Sequence, residues 1–182
     1  MIYSIIGINI LFALLVLILV AYLGFSVWTF HQTVPYVPTP YRIIKKMLKA
    51  AQLQDGQKAV DLGSGSGRIV LMAAKQFKGQ VIGLEKSKLL ILVSRLRSFF
   101  NWKKSKVIFL QTDIFNYDLS QFDAVFSFLT PGSLAQLEPN FQKLKPGSRL
   151  ISYLFPLKNH CNFREEIINP VKKEKIFVYS RI

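Results

Sequence analysis

The stretch of this chain best equipped for chemistry is Val60-Asp61-Leu62-Gly63-Ser64-Gly65-Ser66-Gly67-Arg68, a hydrophobic run that passes into three alternate glycines. Glycine is needed where the backbone takes positive φ, or where a Cβ would strike a closely approaching ligand, so this spacing implies a nucleotide-like ligand. The spacing is G-x-G-x-G, with Arg68 where a dinucleotide-binding loop would hold its third glycine, which points away from NAD. No G-x-x-x-x-G-K-S/T is formed here either, which excludes a triphosphate-cradling loop. Glu85 follows at the end of the next β-rich run, where a carboxylate can accept hydrogen bonds from both hydroxyls of a ribose. Asp113 lies just beyond the run after that, where a carboxylate accepts from an adenine amino group or, equally, caps a turn. Open α/β sheets place ligands at their strand ends. On that rule Phe128, Leu129 and Thr130, with Phe155 and Pro156, are expected to shape a substrate channel whose aromatic faces stabilise a cation.

These groups require a scaffold of alternating units. Strands are predicted at 59–62, 80–84, 107–110, 124–128 and 150–155, with helices over 67–77 and 89–100. Such alternation implies a parallel sheet with helices on both faces. Two further β-rich stretches, at 166–168 and 176–180, are expected to form a closing antiparallel hairpin. Ahead of the first strand, Ile43, Ile44, Met47, Leu48 and Ala51 recur at helical spacing, with Thr39 and Pro40 read as N-cap and first helical residue.

The N-terminal end is of a different character. No Asp, Glu, Lys or Arg precedes Arg42, and from Ile5 to Val27 the chain is apolar apart from small or weakly polar residues. At ~1.5 Å per residue this run is long enough to cross a hydrocarbon core of ~30 Å. A transmembrane anchor is expected over 1–30, then an extended connector over 31–38, then a catalytic domain over 39–182. Arg42, Lys45, Lys46 and Lys49 follow the span closely, which puts the domain on the cytoplasmic side. Trp28 and Tyr36 suit an interfacial position equally with packing on the domain. The net charge of +14 favours anionic surfaces, whether lipid headgroups, nucleic acid or acidic protein. The lysine-rich stretches 103–106 and 172–175 are read as solvated faces or lipid contacts. The single cysteine, Cys161, excludes an internal disulfide, and no Cys/His grouping has metal-ligand spacing, so no metal site is expected.

Taken in order, these residues resemble the class I S-adenosylmethionine-dependent methyltransferases, a Rossmann-like fold with a seven-stranded sheet. Pro35-Tyr36-Val37-Pro38-Thr39-Pro40 followed by Asp61 to Val70 is similar to the archaeal and mitochondrial protein-lysine methyltransferases. That group includes the enzymes acting on the ATP synthase c subunit and the adenine nucleotide translocase. The segments Phe122 to Pro131 and Leu144 to Ser152, followed by Phe155-Pro156, extend the likeness to most of the chain after Pro35. The resemblance implies S-adenosyl-L-methionine as cofactor, with Tyr36, Thr39, Asp61, Gly63, Ser64, Gly65, Gly67, Glu85 and Asp113 at its binding positions. It implies methylation of lysine on a protein, including a membrane protein. Methylation of RNA or DNA, and a non-catalytic tethered module, are the alternatives. Base-amino methylation resembles an Asn/Asp-Pro-Pro-aromatic pattern where this chain has Phe128-Leu129-Thr130-Pro131, and cytosine-C5 chemistry wants a cysteine nucleophile that Cys161 does not resemble. One departure stands out. The family places an acid where this chain has Ser66, so weaker contact with the cofactor's methionine end is expected.

Overall fold

The computed structural model describes residues 2–30, 37–100, 105–169 and 173–182. It falls into two compact units, Met1–Val37 and Pro38–Ile182. In the first, α1 (Ile2–Phe30) is one continuous helix of 29 residues. From Gly7 to Gly24 it is long and apolar enough to cross a membrane. Its apolar side chains from Ile8 to Leu23 are exposed. Most of the expected connector, with Tyr36, lies outside the described residues, as do the side chain of Trp28 and the lysines at 103, 104 and 172.

The second unit is a seven-stranded sheet with spatial order β3-β2-β1-β4-β5-β7-β6. Its strands are β1 (Lys58–Leu62), β2 (Gln80–Glu85), β3 (Lys106–Gln111), β4 (Ala124–Ser127), β5 (Arg149–Tyr153), β6 (Phe163–Ile168) and β7 (Ile176–Arg181). The first five pair in parallel, whereas β7 runs antiparallel between β5 and β6. The anticipated closing hairpin is therefore β6 and β7, with β6 starting earlier, at Phe163. Ahead of β1, α2 (Tyr41–Ala51) buries Ile43, Ile44, Met47, Leu48 and Ala51, the residues its spacing marks. Its start is one residue later than expected. Pro40 is the N-cap, extended at φ −61°, ψ 140°, and its carbonyl accepts from both Ile43 and Ile44 N–H, so Thr39 lies outside the helix and gives no side-chain cap.

Alternate strand residues separate two cores, as the period of two requires. Ala59, Val81, Phe109, Ala124, Phe126, Ile151 and Val178 join one buried cluster with α2, α3 (Arg68–Gln76) and Ile91 of α4 (Lys88–Phe99). The intervening residues Val60, Leu84, Val125, Leu150 and Tyr179 are buried on the opposite side. A helix that the periodicity did not reveal, α5 (Pro131–Phe141), buries Leu134, Leu137 and Phe141. Gly132 and Pro139 mask it, being poor helix formers. Its start is nonetheless well specified, since Thr130 Oγ1 accepts from Ser133 N–H at 3.3 Å and Pro131 occupies the first turn.

One packing contact beneath the glycine loop depends on a missing side chain. Phe109 of β3 stands opposite Gly83 of β2 in the register, and its ring fills the space above that glycine. A Cβ on Gly83 would fall 2.8 Å from Phe109 Cδ1 and 2.7 Å from Ser64 Oγ. The expected outcome for Gly83→Ala is a loss of about 1–3 kcal/mol of stability by overpacking, measured as a lowered urea midpoint with unchanged slope. An unaltered midpoint would show that the ring moves aside without cost.

Candidate active site

The sheet order reverses at β1, whose neighbours are β2 on one side and β4 on the other, so a crevice opens beyond the carboxyl ends of β1 and β4. Leu62, the last residue of β1, pairs with Leu84 and with Ser127, which brings the ends of three strands together. Gly63, Gly65 and Gly67 leave β1 with φ of 71°, 53° and 75°, the left-handed conformation that side chains resist. Two backbone bonds close the loop: Ser64 N–H donates to Leu84 C=O, and Gly67 N–H to Ser64 C=O, both at 2.8 Å. Gly67 also answers a steric demand, because a Cβ there would lie 2.7 Å from the Phe109 ring.

Glu85 joins the loop to the next helix. One carboxylate oxygen accepts from Gly65 N–H at 3.0 Å and the other from Ser87 N–H at 2.9 Å. Ser87 in turn caps α4 by accepting from Leu90 N–H at 3.2 Å. A carboxylate offers about four lone-pair positions, so these two bonds leave room for hydroxyl donors on a ligand. Nearby, Asp61 is only 3% exposed. Burial, aided by the charge of Glu85, raises its pKa well above 3.8. Among the described residues no lysine or arginine forms an ion pair with Asp61 or Glu85. Two carboxylates at a strand-end crevice without a protein cation suit a ligand that carries positive charge itself.

The remaining loop residues are held from outside the crevice. Arg97 of α4 donates through Nη1 to both the carbonyl and the hydroxyl of Ser66, each at 2.8 Å, and through Nη2 to Tyr41 Oη at 3.2 Å. Arg68 lies over the Tyr41 ring at 5.0 Å and donates to the Thr39 carbonyl at 3.4 Å. Thr39 therefore meets the glycine loop through its backbone. Ser64 Oγ is buried without a hydrogen-bond partner, lodged against Gly83.

Across the crevice, Leu129 is buried with its Cδ2 3.3 Å from where a Gly63 Cβ would stand, so loop and channel residue meet directly. Phe128 is half-buried and packs on Tyr153, with ring centroids 4.8 Å apart. Burial first, and Glu174 second, raise the Tyr153 pKa, so its hydroxyl stays neutral. Thr130 serves as the α5 cap. Phe155 is half-buried and Pro156 exposed, and the Phe155 carbonyl accepts from Ser152 Oγ at 2.6 Å. Asp113 caps the 3-10 turn Ile114–Asn116, accepting from Phe115 N–H at 3.1 Å, while its other oxygen pairs with Lys86 at 3.5 Å. Its turn-capping reading is thus realised. Tyr153 and Arg97 are not marked by the sequence: the first ends a short strand that reads as core, and the second joins the loop from 31 positions away.

Comparison with known proteins bears on this geometry. The family described as "ANTKMT methyltransferase domain" matches residues 61–162. A protein-lysine N-methyltransferase of Saccharolobus islandicus is 32% identical over 69% of this chain and 79% of its own length. The lysine N-methyltransferase of the ATP synthase c subunit from Xenopus laevis is 34% identical over 69% of this chain, and the adenine nucleotide translocase lysine N-methyltransferase of Mus musculus 33% identical over 74%. The match spans only 55% and 58% of those two relatives. Among solved structures, an RNA methyltransferase of Salinibacter ruber in complex with S-adenosyl-L-homocysteine superposes with a TM-score of 0.71 at 28% identity. That superposition covers 80% of this chain and 94% of the other.

Two outcomes are expected of the crevice. Glu85→Ala removes an acceptor shared by the loop and α4, so it should lower the thermal midpoint and also weaken S-adenosylmethionine binding by about 1–3 kcal/mol in calorimetry. Unchanged affinity would contradict the assignment. Asp61 binds its proton more tightly folded than unfolded. As pH rises above 3.8 the unfolded chain ionises first, and stability falls until the folded group ionises too. Asp61→Asn should abolish that decline in a pH series of thermal midpoints without ligand, and an unaltered decline would show that another group causes it.

Proposed function

Because the chain belongs to the ANTKMT methyltransferase family and is an S-adenosylmethionine-dependent methyltransferase, we propose that it methylates lysine side chains of proteins from a position fixed at a membrane. The observation that carries the lysine reading is the pairing of an acid-lined glycine crevice with an apolar wall facing it, in a chain whose curated relatives are named for lysine methylation. S-adenosylmethionine supplies a methyl group on a sulfonium. Glu85 holds the ribose hydroxyls, the glycine loop lies beside the methionine end, and the cationic part of the ligand favours the ionised form of Asp61, which burial disfavours. Asp113, still able to accept through its Lys86-paired oxygen, lies where the adenine amino group would be read. Thr39, ahead of α2, belongs to the cofactor side.

On the acceptor side Phe128, Leu129 and Tyr153 form a wall with few polar groups, which Thr130, Phe155 and Pro156 extend. A lysine drawn against such a wall loses hydration, which disfavours the ammonium and lowers its pKa from ~10.4. The amine lone pair is then free for in-line attack, a step that depends mainly on alignment. No dedicated base is required. Ser66, tied to Arg97, cannot offer the negative charge of an acid in that place, so the cofactor's ammonium relies on Asp61.

The membrane position rests on α1, whose exposed apolar surface has no use in water. Arg42, Lys45, Lys46 and Lys49 follow it and favour a cytoplasmic catalytic domain. A nucleic-acid substrate is favoured by one observation, the likeness to the Salinibacter ruber RNA methyltransferase.

Incubation of the purified chain with methyl-labelled S-adenosylmethionine and a membrane extract is expected to give label that proteases release and nucleases do not. Label removed by nuclease alone would overturn the lysine reading in favour of RNA or DNA, and cofactor binding with no transfer would favour a tethered binding module. Removal of residues 1–30 should leave cofactor affinity intact and free the protein from neutral phosphatidylcholine vesicles on flotation, whereas continued flotation there would show that α1 is not what holds it.

A further inference from the structure

The outer surface of α4 has no role in the crevice and an unusual composition. Leu90, Ile91, Ser94 and Ser98 face the sheet and are buried. On the opposite side Leu89, Leu92, Leu96, Phe99 and Phe100 are 48%, 55%, 55%, 83% and 81% exposed. At 3.6 residues per turn these five fall within one arc of about 100°, a continuous stripe running the length of the helix. The two phenylalanines pack edge to face with centroids 5.3 Å apart, which concentrates the apolar surface at the helix end. Lys88 and Arg95, both exposed and seven positions apart, run along one border of the stripe. From Lys86 to Thr112 the sequence has no aspartate or glutamate, and Lys106 adds a further exposed cation.

An apolar stripe bordered by cations matches a surface whose outside is anionic and whose inside is hydrocarbon. A second copy of this chain would bring like charges together, and a nucleic acid has no complement for three leucines. We propose that α4 is an interfacial helix, seated roughly 5–10 Å into the headgroup and acyl boundary of an anionic bilayer by Leu89, Leu92, Leu96, Phe99 and Phe100. Because Ser87 caps α4 and Glu85 precedes it directly, this seating sets the cofactor crevice close to the lipid surface, within reach of lysines near the membrane. The membrane contact through α4 is separate from any contribution of α1.

The test uses the full chain with an environment-sensitive fluorophore at Leu96→Cys, in a Cys161→Ser background, and a control labelled at native Cys161, which is exposed. Each is reconstituted into vesicles of phosphatidylcholine, with or without phosphatidylglycerol, that carry acyl-chain quenchers. The expected result is a blue shift and strong quenching at position 96 in the anionic vesicles, a smaller effect in phosphatidylcholine alone, and neither at Cys161. Water-like emission at position 96 in the anionic vesicles overturns the proposal. Equal quenching without anionic lipid overturns the role given to Lys88 and Arg95, and concentration-dependent shielding of position 96 in detergent without lipid assigns the stripe to self-association instead. Flotation of the chain with and without residues 1–30 on phosphatidylcholine alone, where the cations of α4 have no anionic partner, reports on α1, so failure of one membrane contact is distinguishable from failure of the other.

Discussion

The Glu85 carboxylate is the constraint on which the site depends. It fixes the middle of the glycine loop through Gly65 N–H and the start of α4 through Ser87 N–H, so the elements that precede and follow β2 are held by one group at that strand's carboxyl end. Hydrogen bonds to a charged acceptor are worth more than neutral ones, and they are made here where solvent is partly excluded. The arrangement also keeps negative charge at the mouth of the crevice, beside an Asp61 whose pKa is raised first by burial and then by Glu85, so that a cationic ligand favours both carboxylates. Loop shape and ligand preference are thus consequences of one residue.

Beneath that contact lies a second layer built from absence. Phe109 occupies the space that side chains at Gly83 and Gly67 would take, and its ring supports the loop from the sheet side. On the helix side Arg97 binds Ser66 and Tyr41, while Arg68 lies on the Tyr41 ring and reaches Thr39. The loop is therefore enclosed by an aromatic floor and a guanidinium brace. The hydroxyl of Ser66 keeps the brace as a hydrogen bond.

Much of this architecture is legible in the residues. Strand positions, the alternation of strand and helix in the parallel units, the closing hairpin and the place of Glu85 one strand after the glycine loop follow from short β-rich runs bounded by turn residues, because burial on both faces leaves few other solutions. What is not legible involves residues distant in sequence or of poor local propensity. α5 is disguised by Gly132 and Pro139, and its presence depends on the space the sheet leaves for it. Tyr153 reads as core and is buried there, and only the fold shows that Phe128 packs on its ring. Arg97 reads as a helix surface charge until the fold brings it to Ser66. Asp113 has two readings of equal standing in the sequence, and a local amide satisfies one of its oxygens first.

The central claim is that this acid-lined crevice receives an adenosyl sulfonium. A crystal structure of the chain with S-adenosyl-L-homocysteine tests it most directly. The account predicts adenosine at the ends of β1 and β2, with both ribose hydroxyls on Glu85 and the sulfur turned toward Leu129. Ligand bound elsewhere, or a crevice filled by the chain's own Phe128 and Leu129, would contradict it.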